Sequence, residues 1–232
     1  MSFLIPKPIK DIPHPYVIVC EGMGDAGFVE ALLRHKKVEN CCVGCPSDET
    51  AGGSGFEAIP AYLKGIAMTA RRAGKSLEGL AVIADANGDP DGRFAAVAAA
   101  MRLASFPEPA QPFVVDDGPP RNAVFLIPGA GENGTLENLL LKAAFRKTPV
   151  LERCIEEFST CTGMIATATD NQKAKMKMSA IAAAFCKDNP WTSIRLLWKD
   201  KGNPVPIDSD CFDELSRFID NFSTPAAVIR RA

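Results

Sequence analysis

Continuous runs of β-branched and small apolar residues alternate with segments of helical periodicity along much of the chain. Two of these runs, at 16–20 and 80–84, contain no charged residue. An uninterrupted apolar run is typical of a strand that is buried on both faces, as in a parallel sheet. Stretches at 38–45, 113–115 and 122–128 predict three further strands.

Apolar residues at helical spacing separate and follow these strands. The predicted helices cover residues 25–37, 56–73, 90–104, a segment that begins at 135, and then 150–160, 171–187 and 211–222. Asp89 and Thr135 are expected as N-caps of two of these helices. The glycine-rich segment 48–55 predicts a flexible loop, and 194–198 fits either type of element.

The alternation of strands and helices up to about residue 145 predicts the fold class. We expect an α/β domain over 16–145, with a Rossmann-like, mostly parallel sheet flanked by helices. Residues 1–15 contain four prolines and predict an extended N-terminal arm. Residues 146–232 predict a helical C-terminal extension packed on the same domain.

The composition is that of an ordinary globular protein. The 232 residues, 47% of them hydrophobic, are enough to bury a core. A net charge of −2 argues against a strongly basic nucleic-acid scaffold but is compatible with a local basic patch. The N-terminus lacks the apolar segment of a secretory signal, and no run of about eighteen apolar residues predicts a membrane helix. We therefore expect a cytoplasmic protein with no membrane contact.

Eight cysteines raise the question of a metal or disulfide role. Cys42 and Cys45 form a C-x-x-C pattern, and Cys154 and Cys161 form a looser pair. A structural zinc site normally uses two tight pairs of this kind, and the second is missing here. Free thiols are therefore favoured over zinc.

Each of the two uninterrupted apolar runs leads into a carboxylate, Glu21 after the first and Asp85 after the second. The carboxyl ends of parallel strands meet at one edge of a sheet, where the ligand crevice of this fold class lies. We therefore expect the two carboxylates to lie side by side. Converging oxygen ligands of this kind suit Mg²⁺ or Mn²⁺.

Three segments share their order and spacing with a known family. They are Glu21-Gly22-x-x-Asp25-x-x-Phe28, Asp85-Ala86-Asn87, and the run 126–140 around Gly134-Thr135-Leu136-Glu137. Together they resemble the TOPRIM domain of topoisomerases, primases and the nucleases related to the overcoming-lysogenization-defect protein, especially its small stand-alone bacterial members. The resemblance covers roughly residues 16–220. It implies a TOPRIM-like fold and Mg²⁺-dependent phosphoryl transfer on nucleic acid, as in a nuclease.

The resemblance also implies roles for individual residues. Glu21 would be a general base or a metal ligand, and Asp85 would be the main ligand of Mg²⁺ or Mn²⁺. The candidates to complete the ligand set are Asp25, Asp89 and Glu137. Lys173 is a candidate to stabilise developing charge on a phosphate.

Asn87 departs from the family pattern, because it stands where the family has a second acid. Its amide oxygen is a candidate metal ligand, but the site then carries one negative charge fewer. This departure raises an alternative function: a non-catalytic partner or sensor that keeps the fold and has lost the full metal chemistry. A protein partner or a second copy of the chain stays open for such a molecule.

A third hypothesis is nucleotide binding. Gly22, Gly24 and Gly27 match the spacing of a dinucleotide fingerprint after a strand. Glu21 and Asp25 place negative charge where the pyrophosphate would bind, which weakens this interpretation.

Three of the candidate residues also have structural explanations. Asp89 precedes Pro90 as a helix cap, and we favour that role for it. Glu137 suits the first turn of a helix, where acids are generally favourable. Lys173 belongs to a basic run that is typical of a solvated helix face.

Overall fold

A single sheet forms the centre of the fold. The computed structural model describes residues 3–6, 9–163 and 166–224. Within them, the strands β1 (Tyr16–Cys20), β2 (Cys41–Gly44), β3 (Gly79–Asp85), β4 (Val115–Asp116) and β5 (Arg121–Ile127) form a five-stranded sheet in the order β2-β1-β3-β5-β4. Neighbouring strands are parallel, except that β4 pairs antiparallel with β5 at the edge. The α/β class with a mostly parallel sheet is thereby confirmed.

Helices cover both faces of the sheet. They are α1 (Met23–Lys36), α2 (Asp48–Ala51), α3 (Ile59–Arg72), α4 (Pro90–Leu103), α5 (Leu136–Lys147), α6 (Val150–Thr162), α7 (Asp170–Phe185) and α8 (Asp213–Ser223), with short 3₁₀ helices at Phe56–Ala58, Ile194–Lys199 and Asp210–Phe212. The residues of α3 and α4 pack on one face, and those of α1, α5 and α8 pack on the other. The prediction of a loop over 48–55 is wrong for its first half, because Ser47 caps the single turn of α2.

The central strands send alternate side chains into two separate cores. In β1, Ile18 lies in the core beneath α1, whereas Val17 and Val19 lie in the core beneath α3. All three side chains are fully buried. This burial on both faces explains why such strands appear in the sequence as uninterrupted apolar runs.

The C-x-x-C pattern straddles the sheet. Cys42 of β2 lies in the core beneath α3, whereas Cys45, just after β2, lies in the core beneath α1. Residues three apart in an extended segment point to opposite faces, so these two sulfurs do not converge on one ion. No disulfide joins any of the eight cysteines, all of which lie in the described part of the chain.

The described part of the N-terminal arm lies against the edge of the sheet. The backbone N–H of Val43 donates to the carbonyl oxygen of Phe3 at 2.7 Å, and the N–H of Ile5 donates to the carbonyl oxygen of Val43 at 2.8 Å. The side chains of Phe3, Ile5 and Ile12 are buried. Phe3 and Ile5 therefore flank a bridge that extends the sheet beyond β2, and the three side chains add to both cores.

The C-terminal helices pack into the core of the sheet. Met178 and Ile181 of α7 and Phe218 and Phe222 of α8 belong to the same buried cluster as Ile18. The helical segment that follows the α/β part of the chain therefore shares one core with it. Among the helices of the described residues, none combines the length and the apolar character needed to cross a membrane.

Candidate functional site

Glu21 and Asp85 lie at the same edge of the sheet. Their strands β1 and β3 are parallel neighbours, with Cys20 in register with Ile83. Glu21 follows β1 directly, and Asp85 is the last residue of β3. The backbone N–H of Leu136, the first residue of α5, donates to Asp85 Oδ1 at 2.9 Å. This bond fixes one oxygen of Asp85 against the start of α5.

Two further carboxylates enter the site from the first turns of helices. In α1, Asp25 Oδ2 accepts the backbone N–H of Gly22 at 2.9 Å. In α5, Glu137 Oε2 accepts the hydroxyl of Thr135 at 2.8 Å. Both helices begin at the edge where β1 and β3 end. We call Asp25, Glu137 and the two strand-end acids the carboxylate cluster.

The carboxylate cluster is electrostatically strained. Burial raises the pKa of Asp25 to about 7, and the charges of Glu21 and Glu137 add to the rise. Burial also raises the pKa of Asp85 to about 8, with further contributions from the other three acids of the cluster. The pKa of Glu21 is raised as well, mainly by burial. Because each of these shifts disfavours the charged form, protons or a cation would relieve the repulsion.

One carboxylate oxygen of the cluster has no donor. Glu21 Oε2 is buried and, within the described residues, accepts no hydrogen bond. The charges of Arg93 and Lys175 lower the pKa of Glu21, but they do not fully offset its burial. An unsatisfied buried carboxylate oxygen is costly, so Glu21 is a ready ligand for a cation.

The donor set fits one kind of metal better than others. Among the described residues, no three His, Cys, Asp or Glu side chains form a group that could hold a metal ion by themselves. A closed zinc or calcium cage made only of protein ligands is therefore not built here. Mg²⁺ differs, because it usually takes one or two carboxylates and keeps several waters or substrate oxygens. The strand-end pair Glu21 and Asp85 meets that requirement.

Asn87 connects three parts of the site. Its φ of 52° lies in the left-handed region, which asparagine tolerates better than most residues. Its backbone exchanges two hydrogen bonds with Gly134, both at 2.8 Å. Its side-chain Oδ1 accepts the Nδ2 donor of Asn171 in α7 at 2.7 Å. The amide oxygen expected as a metal ligand is thus already engaged by α7.

Asp89 and Lys173 have local partners. Asp89 is the N-cap of α4, where its Oδ1 accepts the N–H of Gly92 at 2.9 Å. This is the structural role that the sequence favoured for it. Lys173 Nζ pairs with Asp170 Oδ1 at 3.0 Å within the first turn of α7. Neither contact involves the carboxylate cluster.

Three polar residues of the site were missed by sequence reasoning: Arg93, Asn171 and Lys175. Arg93 and Lys175 are the cations whose charges act on Glu21. Arg93 carried a signal that could have been noticed, since a cation in the first turn of a helix opposes the helix dipole. Lys175 and Asn171 lie four residues apart on α7, but the sequence alone does not show that α7 returns to the sheet edge.

A cavity of about 390 Å³ opens beside the cluster. Its lining residues are Phe56, Glu57, Ala86, Asn87, Gly88, Asp89, Gly92, Arg93 and Ala96. The guanidinium carbon of Arg93 lies 3.7 Å from the centre of the Phe56 ring. The wall of the cavity therefore carries one cation, Arg93, and two acids, Glu57 and Asp89.

The glycines of the G-x-G-x-x-G pattern serve the packing of α1. Gly22 is the N-cap of α1. A Cβ atom on Gly27 would lie only 2.6 Å from the Cα of Arg195, so the segment Ile194–Lys199 occupies the space over this glycine. The third glycine of the pattern thus faces protein.

Comparison with known proteins identifies a family for this chain, but that family has no known activity. The family model described as "Protein of unknown function (DUF3226)" matches residues 15–217, which include the whole carboxylate cluster. No curated protein and no solved structure matches the chain.

Proposed function

The chain belongs to this family of unknown function, and we propose that it catalyses phosphoryl transfer on nucleic acid with Mg²⁺ or Mn²⁺, as a nuclease does. The observation that carries the proposal is the buried, unpartnered Oε2 of Glu21 beside three other carboxylates at the carboxyl edge of a parallel sheet. The resemblance of the sequence segments around these acids to TOPRIM domains supports the same reaction class.

In this proposal Glu21 and Asp85 hold the cation. A bound Mg²⁺ or Mn²⁺ would supply charge stabilisation for a phosphodiester and orient its oxygens. The N–H of Leu136 keeps Asp85 in place through its Oδ1, which leaves Oδ2 for ligation. Asp25 and Glu137 are held by Gly22 and Thr135, and they add negative charge around the ion.

Cations at the rim attract the anionic substrate. The charges of Lys175 on α7 and Arg93 on α4 both act on the Glu21 carboxylate, so both cations lie near the proposed ion. Lys173 instead pairs with Asp170. We therefore assign the charge-stabilising role expected for Lys173 to Lys175 and Arg93.

The test is a Mn²⁺ titration followed by calorimetry. We expect the wild-type protein to bind Mn²⁺ and Glu21→Gln to bind it at least about tenfold more weakly, because a charged ligand is lost. The matched control is Asp89→Asn, which removes an acid four residues beyond Asp85 but keeps the helix cap, since asparagine caps equally well. No Mn²⁺ binding by wild type, or equal weakening in the control, would contradict the proposal.

A second candidate function is the non-catalytic partner or sensor. It is favoured by Asn87, because its amide oxygen accepts a hydrogen bond from Asn171 at the position where the TOPRIM pattern has an acid. The variant Asn87→Asp can keep both the left-handed backbone and this bond. Mn²⁺-dependent cleavage of a single-stranded oligonucleotide by Asn87→Asp alone would identify the sensor, whereas cleavage by wild type identifies the enzyme.

A further inference from the structure

Arg93 has an unusual setting for an arginine of this molecule. Its guanidinium rests on the Phe56 ring, with 3.7 Å between the guanidinium carbon and the ring centre. Its backbone N–H donates to the carbonyl oxygen of Asp89 at 3.0 Å, but within the described residues its guanidinium forms no hydrogen bond or ion pair. Arg102, on the same helix, instead pairs with Glu108 at 3.2 Å. The N–H edge of Arg93 is therefore open in a cavity.

The position of Arg93 makes an anionic ligand favourable. It lies in the first turn of α4, where a cation by itself opposes the helix dipole. The dipole and the guanidinium would both attract an anion at the N–H edge of Arg93, against the repulsion of Glu57 and Asp89, which also line the cavity. A phosphate offers oxygens that match the planar fork of arginine bidentately.

Phe56 prepares Arg93 for such a ligand. A guanidinium stacked on an aromatic ring is attracted to the ring face and loses side-chain freedom. Its remaining N–H groups then point along the ring plane, away from the stacking direction. The stacking on Phe56 therefore supplies part of the ordering that a phosphate contact requires.

We infer that Arg93 binds a phosphate group of the substrate in the cavity lined by Phe56, Asn87 and Gly88. The inference rests on the proposed function, because the same phosphate would meet the cation held by Glu21 and Asp85. Mg²⁺ sites commonly use substrate phosphate oxygens to complete their shell.

The size of the cavity restricts the substrate. Its volume of about 390 Å³ is at the small end of ligand pockets and suits one nucleotide unit. A base-paired segment presents its bases stacked within the duplex, whereas an unpaired nucleotide can enter a pocket of this size. We therefore include in the inference that the phosphate lies on a strand end or on an unpaired nucleotide.

The experiment compares Arg93→Gln with Arg102→Gln, which removes the same charge from the same helix outside the cavity. Inorganic phosphate is titrated into each protein at constant ionic strength, with and without Mn²⁺. We expect Arg93→Gln to raise the phosphate Kd about 10- to 100-fold, because a charge-assisted bidentate contact is lost. Arg93→Lys should fall between Arg93→Gln and wild type, and Arg102→Gln should match wild type.

A trithymidylate with or without a 5′-phosphate distinguishes the two sources of the phosphate. Tighter binding of the phosphorylated form, lost in Arg93→Gln, identifies a terminal phosphate. Equal binding of the two forms, weakened in Arg93→Gln, identifies an internal phosphodiester. The inference is overturned if wild type binds no phosphate, or if Arg93→Gln binds phosphate and oligonucleotide as wild type does.

The Mn²⁺ affinity of Arg93→Gln separates this inference from the proposed function. We expect this variant still to bind Mn²⁺, because Arg93 acts on Glu21 through its charge and is not a metal ligand. If wild type binds no Mn²⁺ but its phosphate binding depends on Arg93, the proposed metal enzyme is refuted and the phosphate site is supported. If wild type binds Mn²⁺ but its phosphate binding does not depend on Arg93, the phosphate site is refuted and the proposed metal site is supported.

Discussion

At the scale of single residues, Asp85 shows that the ionised form of a carboxylate is unfavourable in this site. One of its oxygens accepts the N–H of Leu136, which favours the carboxylate, yet burial and three neighbouring acids raise its pKa to about 8. Replacing Asp85 by a neutral residue would remove this repulsion along with the ligand. Stability and metal binding should therefore respond to Asp85 in opposite directions.

We expect the metal-free protein to lose stability as pH rises from 5 to 8. Between the ordinary aspartate pKa of 3.8 and the raised values of about 7 and about 8, Asp25 and Asp85 hold protons in the folded protein that the unfolded chain has released. The folded state then binds more protons, so the free energy of unfolding falls with pH, by about 2 kcal/mol or more in total.

Urea unfolding in EDTA at several pH values measures this effect. Asp85→Asn should flatten the pH profile and stabilise the metal-free protein at pH 8, and Mg²⁺ should flatten the profile of wild type. A wild-type profile that is flat in EDTA would show that the cluster is not strained in solution.

At the scale of elements, the contact between α1 and the 3₁₀ helix Ile194–Lys199 holds the C-terminal part of the chain near the site. Gly27 makes this contact possible, because its missing side chain lets the backbone of Arg195 approach. Phe28 next to it packs against Trp198, with ring centres 5.2 Å apart. The glycine is thus required by a close approach between two backbones.

Gly27→Ala should destabilise the protein by about 1–3 kcal/mol, because the added Cβ would lie 2.6 Å from backbone that cannot rotate away. Gly24→Ala in the same helix is the control. Its Cβ would meet Ile194 at an ordinary 3.6 Å, so the higher helix propensity of alanine should leave stability equal or raised by about 0.5–1 kcal/mol. Urea midpoints at a common m-value measure both, and equal losses in the two variants would contradict the packing argument.

At the scale of the whole molecule, Arg121 joins the last helix to the sheet. It is a strand residue with only 4% of its surface exposed. Its Nη1 donates to the carbonyl oxygens of Asn221 at 2.9 Å and of Phe222 at 3.1 Å, at the end of α8. Its Nη2 pairs with Asp117 at 2.9 Å. The guanidinium satisfies carbonyls that the helix end would otherwise leave without donors.

Arg121→Gln should lower the free energy of unfolding by about 3 kcal/mol, since buried acceptors lose their charged donor. Arg102→Gln, at an exposed pair, should stay within about 0.5 kcal/mol of wild type. Because α8 shares the core of the sheet, far-ultraviolet circular dichroism and tryptophan fluorescence should report one coincident transition. Separate transitions would show that the C-terminal helices fold as their own unit.

Much of the candidate site could be predicted from short stretches of sequence. The acids Glu21 and Asp85 follow apolar strands, and the cap role of Asp89 follows from its place before Pro90. Asn171 could not be found this way, because the Asn87 side chain it contacts lies 84 residues earlier. The prediction of a loop over 48–55 was wrong for its first half, because one helical turn needs only a local cap, and the glycines that follow made this segment look like a loop.

The sequence by itself determined the parallel sheet and the edge at which two strands deliver their acids. Strands that are buried on both faces need apolar residues at every position, so they appear in the sequence as uninterrupted apolar runs. Parallel strands also place their carboxyl ends at one edge of the sheet. Only the tertiary structure decided that Glu21 Oε2 has no hydrogen-bond donor within the described residues. It also decided that Asn171 of α7 donates to the Asn87 amide oxygen and that the guanidinium of Arg93 stacks on the Phe56 ring. These are relations between side chains from distant segments, and they arise from packing in three dimensions, which local patterns do not encode.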